Sequence, residues 1–158
     1  MNSVLILLHV LAAILFLGPV TVAVSTFHTR AFAAHNGNET AKGAAAVLYK
    51  ITQTYGMLSL LVPLVGFAVM FTNDSYWSNG VYHASIALSV IAWALLIFVI
   101  MPKQKKMMGN LSLLEADEQA EGGFEIADWK KAKGQLSMFG GIFSLIWVIV
   151  AILMVVIK

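Results

Sequence analysis

Two histidines are the side chains in this sequence best suited to chemistry in an apolar environment. His9 and His83 lie within or beside long apolar runs, where an ionisable residue is by default a candidate functional site. Imidazoles on two facing helices can bind a haem at both axial positions, or share a transition metal with water. The competing interpretation is structural, with one histidine bonded to a neighbouring carbonyl and the other at the headgroup level beside Tyr82.

The remaining polar residues predict no catalytic centre. A hydrolase needs a nucleophile with a base and an orienting acid, and no such combination can be assembled from this sequence. The chain has no cysteine, which excludes disulfides and thiolate metal sites. We therefore expect a protein that is not an enzyme and has no cofactor, with haem b on His9 and His83 as the alternative.

Four apolar runs have to position these histidines. The chain is 59% hydrophobic and 11% charged, whereas soluble domains are about 25% charged. The runs cover residues 4–27, 51–72, 81–101 and 136–157; each is close to the roughly 20 residues that cross a bilayer, and none contains Asp, Glu, Lys or Arg. They predict an all-α fold, a polytopic four-transmembrane-helix bundle that forms one membrane domain over residues 1–158.

The basic residues predict the orientation of this bundle. All of the 10 Lys and Arg residues except Lys158 fall in the segments 28–50 and 102–135. The positive-inside rule makes these segments cytoplasmic and places both termini and the 73–80 loop outside, N-out and C-out. Basic residues in such positions set topology and contact anionic lipid, so we expect membrane lipids rather than nucleic acid as partners.

Short sequence motifs predict where the helices bend, end and begin. Gly18-Pro19 and Pro63 predict kinks, because proline removes a helical hydrogen bond. The break Asn36-Gly37-Asn38 predicts an αα-hairpin formed by continuations of the first two spans. Ser112-Leu113-Leu114-Glu115 matches a capping box and predicts the start of a short helix there.

Small residues in the last two spans predict close helix packing. Ser85 and Ser89 in the third span, and Gly140 and Ser144 in the fourth, are spaced as in helix contacts within lipid. We therefore expect these two spans to pack tightly against each other.

Two stretches of the chain carry a family resemblance. Residues 8–19 (LHVLAAILFLGP), and 141–147 (GIFSLIW) with 151–154 (AILM), resemble a family of small bacterial integral membrane proteins of unknown function. This resemblance implies a multi-pass protein of the bacterial plasma membrane. More remotely, the two histidines are similar to those of copper-resistance-D-like and protoporphyrinogen-oxidase-J-like four-helix proteins, which implies His9 and His83 as candidate haem b ligands.

The function predicted first is structural. We expect a non-catalytic accessory subunit of a larger bacterial membrane complex, in particular a respiratory-chain supercomplex. Its apolar faces would bind lipid or the helices of other integral membrane subunits, and the segment 102–135 would dock on a partner's cytoplasmic face. The alternatives are a haem- or metal-binding protein that uses His9 and His83, and a component of a small transporter or channel.

Overall fold

The structure, a computed structural model, describes residues 2–156 and folds them into six helices without a strand. The helices are α1 (Ser3–His35), α2 (Glu39–Met70), α3 (Ser75–Ser78), α4 (Gly80–Asn110), α5 (Ala116–Ala120) and α6 (Trp129–Val156). Four of them, α1, α2, α4 and α6, are long and apolar enough to cross a membrane. The predicted all-α membrane bundle is thus confirmed. Met1, Ile157 and Lys158 lie outside the described residues, and with them the last residue of the fourth predicted span.

The two ends of the bundle carry different residues. Ser3, Val156 and the 71–79 connection lie at one end, here called the terminal end. The connections 36–38 and 111–128 lie at the other end, here called the lysine end. All the basic residues of the described chain belong to the lysine end: Arg30, Lys42, Lys50, Lys103, Lys105, Lys106, Lys130, Lys131 and Lys133.

The α1–α2 connection is a three-residue turn, as the sequence predicts. Gly37 adopts a positive φ of 94°, and the N–H groups of Gly37 and Asn38 donate to carbonyls of the last turn of α1. This is the hydrogen-bond pattern of a Schellman C-cap, which favours glycine at the left-handed position. The Asn38 side chain then accepts a hydrogen bond from the Ala41 N–H and caps α2. One turn thus ends one helix and begins the next.

Each proline of the chain follows an irregular helical turn. A π-helical segment at Ala13–Leu17 comes just before Pro19, and another at Leu96–Ile100 just before Pro102. In α2 the regular pattern is interrupted at Ser59, whose carbonyl accepts from the Val62 N–H instead of from position 63. Because proline has no N–H, the carbonyl four residues earlier loses its regular donor and the turn widens or tightens. The sequence predicts kinks at Pro19 and Pro63 but not the irregular turn before Pro102.

The end of α4 differs from the prediction. The helix continues through Pro102 to Asn110, and the N–H groups of Ser112 and Leu113 donate to carbonyls of its last turn. Ser112 has a positive φ of 57°, the conformation of a residue that ends a helix. The predicted capping box is therefore wrong: α5 begins at Ala116, and no side chain caps it. The backbone of Ser112 takes part in ending α4, and the local motif does not show this.

The buried apolar cluster of the bundle lies mainly toward the lysine end. It includes Val24, Phe27, Ala45, Tyr49, Leu96, Ile100, Met107, Met108, Leu136 and Phe143. Helices approach closely at two buried glycines: a Cβ at Gly56 would lie 2.7 Å from Cε of Met101, and one at Gly140 would lie 3.0 Å from the Val24 carbonyl oxygen. α4 and α6 pack together as predicted, although Gly140 itself faces α1.

The polar segment after α4 folds back on its own chain. The Phe124 ring packs on Gly109, and Asn110 Nδ2 donates to the Phe124 carbonyl over 2.9 Å. Lys105 Nζ donates to Glu121 over 2.8 Å, and this hydrogen bond raises the pKa of the Lys105 ammonium group above its usual range. The docking of segment 102–135 on a partner stays a prediction.

Candidate functional site

The terminal half of the bundle contains a cavity of about 610 Å³, here called the terminal cavity. All four long helices contribute to it. Its lining includes His9, Ala13, Ile14, Gly18, Thr21 and Val22 of α1, Val62, Pro63, Gly66 and Met70 of α2, Tyr82, Ser85, Ile86 and Ser89 of α4, and Ser144, Trp147, Val148, Ala151 and Val155 of α6. This volume lies within the range of small-molecule sites in proteins, about 300–1,000 Å³.

The cavity opens sideways at an apolar surface. Its rim residues Ile14 and Val22 on α1, and Val148 and Val155 on α6, are 63%, 61%, 53% and 77% exposed. In a bilayer these side chains face lipid, because the helices that carry them are candidate spans. A lipid-soluble molecule can therefore enter between α1 and α6 without crossing water.

His9 lies in the wall of the terminal cavity and is held by the interrupted helix α2. Its Nδ1 lies 2.9 Å from the carbonyl oxygen of Val62, the residue before Pro63. Since a carbonyl only accepts, Nδ1 carries the hydrogen in this bond. The ring lies against Gly66, where a Cβ would be 2.8 Å from Cε1 of His9. The glycine thus makes room for the imidazole.

Ser85 is a buried hydroxyl residue of the described spans that lacks a hydrogen-bond partner. The hydroxyls of six other residues donate to carbonyls three or four positions earlier in their own helices: Thr21, Ser25, Thr26, Thr52, Ser59 and Ser89. The Ser85 side chain is fully buried and lines the cavity, yet its Oγ has no hydrogen-bond partner in the described chain. An unpartnered buried hydroxyl costs about 1–3 kcal/mol.

Trp147 supplies a second unpartnered group. Its Nε1 is buried and without a partner in the part of the chain that the structure describes. Measured from the helix ends at about 1.5 Å per residue, Ser85, His9 and Trp147 lie about 8, 9 and 14 Å from the terminal end. Among the described residues, the cavity lining contains no Asp, Glu, Lys or Arg. Its chemistry is therefore that of an apolar site with a few hydrogen-bonding groups at similar depth.

His83, the other predicted site residue, does not line the terminal cavity. Its ring is exposed, Nδ1 lies 3.2 Å from the Asn79 carbonyl oxygen, and Trp77 lies edge-on at 6.4 Å between ring centroids. The structure thus brings His9 into the cavity and leaves His83 on another face of α4. Within residues 2–156, no group of three or more His, Cys, Asp or Glu side chains is arranged to hold a metal ion. Haem b on the two histidines stays a prediction.

The other two histidines lie on α1 near the lysine end. His35 stacks on Trp129 with 4.3 Å between ring centroids, and Nδ1 of His28 is buried without a hydrogen-bond partner in the described residues. The sequence favours solvated or lipid-facing side chains at both positions. His35 is exposed although it stacks on the first residue of α6, and His28 is half-buried.

Of the cavity residues His9, Ser85 and Trp147, the sequence predicts His9 as a site residue, because it is an ionisable group in a span. Ser85 was predicted only as a packing residue, and Trp147 was not considered. Both residue types are common in membrane helices, where serine normally bonds to its own backbone. Only the three-dimensional structure identifies the hydroxyl and the indole that lack a partner.

The fold and the cavity define a class: an all-helical, multi-pass membrane protein with four candidate spans and a lateral apolar cavity. No family model, no curated protein and no solved structure matches the chain.

Proposed function

We propose that this protein binds a lipid-soluble molecule within the bilayer, in the terminal cavity. The observation that carries the proposal is the pair of buried, unpartnered polar groups, Ser85 Oγ and Trp147 Nε1, beside an apolar cavity of about 610 Å³. Each such group costs about 1–3 kcal/mol while it stays unpartnered. A bound molecule that supplies hydrogen bonds to both recovers this free energy.

Acyl tails or water in the cavity account less well for the two unpartnered groups, Ser85 Oγ and Trp147 Nε1. Acyl tails fill apolar volume but offer no hydrogen bond. A buried water needs two to four polar partners, and most of the lining is apolar. A molecule with a long apolar part and a small polar head satisfies both the volume and the polar groups.

The proposed setting is the bacterial plasma membrane with the terminal end outside. The lysines at the opposite end support this orientation through the positive-inside rule. The ligand then enters from the outer leaflet, since the polar groups lie about 8–14 Å from the terminal end.

A role as accessory subunit of a larger membrane complex is the second candidate. One observation favours it: the first turns of α1 pack mainly against the second half of α2, which leaves Val4, Leu7 and Ile14 60%, 56% and 63% exposed. This surface can contact lipid or a helix of another integral membrane subunit. Co-purification under mild detergent tests it, because a monomer without partner proteins contradicts the assignment.

Native mass spectrometry of the protein purified from its membrane tests ligand binding. We expect a one-to-one adduct of a small apolar molecule, and its loss in the variant Ala151→Phe, which fills the cavity. The matched control is Ala87→Phe, on the exposed face of α4 outside the cavity. The proposal fails if no adduct forms with native or added lipids, or if Ala151→Phe retains the ligand as well as Ala87→Phe does. An absorption spectrum of the same sample tests the haem alternative through its Soret band.

A further inference from the structure

We infer that the ligand is a neutral lipid whose head carries both a hydrogen-bond-accepting oxygen and a hydroxyl group; this inference rests on the proposed function. Three side chains of the cavity lining constrain the chemistry of the lipid head: His9, Ser85 and Trp147. Their depths differ by about one helical turn, which places all three at a similar level of the bundle.

The absence of charge in the cavity lining makes the head neutral. In the part of the chain that the structure describes, the lining contains no Asp, Glu, Lys or Arg. A phosphate, carboxylate or ammonium group would lose its hydration there without gaining a counter-charge, which is costly in an apolar environment. Phospholipid headgroups and ionised fatty acids therefore do not fit as the head.

Two donors require an accepting oxygen. The indole N–H of Trp147 can only donate, and the hydroxyl hydrogen of Ser85 has no acceptor in the described residues. A carbonyl oxygen has two lone pairs and can accept from both. A pure hydrocarbon leaves both donors unpartnered and forfeits this part of the binding free energy.

His9 requires a donor from the ligand. Its Nδ1–H is committed to the Val62 carbonyl, so in the neutral ring Nε2 carries the lone pair. The bond to Val62 is the one side-chain hydrogen bond of His9 in the described residues. A ligand hydroxyl can therefore donate to Nε2. Acylglycerols and isoprenoid quinols are two lipid sources that combine an accepting oxygen with a hydroxyl group.

A lipid series with one tail and different heads tests the inference on the full-length protein in detergent. Isothermal titration is made with monoolein, methyl oleate, octadecene and oleyl sulfate, and with a short-chain isoprenoid quinol kept reduced. We expect monoolein to bind about five- to tenfold more tightly than methyl oleate, which lacks the hydroxyl. Octadecene and the permanently charged oleyl sulfate should bind more weakly still. Tighter binding of the quinol than of monoolein would assign the head to a quinol, and the reverse to an acylglycerol.

Matched variants test the residues. Ser85→Ala should weaken monoolein binding about five- to tenfold, whereas Ser25→Ala should change it less than about twofold, because Ser25 does not line the cavity and its hydroxyl already donates to the Thr21 carbonyl. If Ser85→Ala does not fold, monoolein binding is measured on Trp147→Phe instead. This substitution keeps an aromatic ring and removes the N–H.

The outcomes separate the two proposals. Equal binding of all the lipids, or equal effects of Ser85→Ala and Ser25→Ala, overturns the inferred head chemistry and leaves a cavity that binds apolar chains. If no lipid binds at all, the proposed function fails together with the inference.

Discussion

A pair of neighbouring glycines in α6 allows a sharp test of the α1–α6 contact in the packed part of the bundle. Gly140 is buried against α1, whereas a Cβ on Gly141 would meet no atom within 4 Å. The substitutions Gly140→Ala and Gly141→Ala add the same methyl group to adjacent positions of one helix. Any effect of helix propensity is therefore common to both variants.

The expected magnitudes follow from the two environments. Alanine favours a helix interior over glycine by about 1 kcal/mol, so Gly141→Ala should stabilise the protein by up to about that amount. At Gly140 the methyl group would lie 3.0 Å from the Val24 carbonyl oxygen and 3.2 Å from its Cγ1. The carbonyl belongs to the backbone of a packed helix and cannot rotate away, and overpacking costs about 1–3 kcal/mol. The free energies of unfolding of the two variants should thus differ by about 1–3 kcal/mol.

Unfolding by SDS titration of the protein in mild detergent micelles, followed by circular dichroism, measures this difference. Gly140→Ala should unfold at a lower SDS fraction than Gly141→Ala, with the unsubstituted protein as reference. Equal midpoints, or a Gly140→Ala variant that is the more stable of the two, would show that α1 and α6 do not meet at Gly140.

Three further predictions concern the site, the helix turn and the orientation. Gly66→Ala would place a methyl group 2.8 Å from Cε1 of His9; the displaced ring should lower ligand affinity about fivefold, measured by titration, with little change in unfolding. Asn38→Ala removes the N-cap of α2 and should cost about 1 kcal/mol in the same SDS titration. The chain lacks cysteine, so single cysteines report topology: a membrane-impermeant maleimide added to intact cells should label Ser78→Cys and not Asn36→Cys.

Each of these results has a contrary outcome. Unchanged ligand affinity in Gly66→Ala would remove His9 from the site, and a large loss of stability would make its effect structural. An Asn38→Ala variant as stable as the unsubstituted protein would show that the turn holds without its cap. Labelling of Asn36→Cys alone would reverse the predicted orientation.

The sequence predicts those features of the fold that depend on local physics. Apolar runs of bilayer length predict the four long helices, and Asn36-Gly37-Asn38 predicts their first turn because glycine adopts the left-handed conformation at little cost. Ser112 shows where local motifs stop being sufficient. The same residue type can begin a helix or follow its end, and only the length of α4 decides between them.

The candidate site is less accessible to sequence reasoning, because it depends on which helix faces meet. Ser85 and Ser89 are one turn apart and chemically identical, yet the hydroxyl of one donates to its own helix and that of the other has no partner in the described chain. Gly140 was predicted to lie at a close helix contact, and the structure shows that the helix it meets is α1. Neither the free hydroxyl of Ser85 nor the partner of Gly140 has a signature in composition, spacing or hydropathy.

The distribution of packing within the bundle favours binding over conduction. The buried cluster that includes Phe27, Leu96 and Phe143 fills the lysine half, whereas the terminal cavity is lined by residues of the opposite half. A pathway through the protein would have to continue across that cluster, whose members are nearly fully buried. The cavity therefore ends inside the bundle, and the open route leads sideways between α1 and α6. A cavity that is closed toward the lysine end and open at its side suits a bound ligand, which leads us to favour a binding protein over a small transporter or channel.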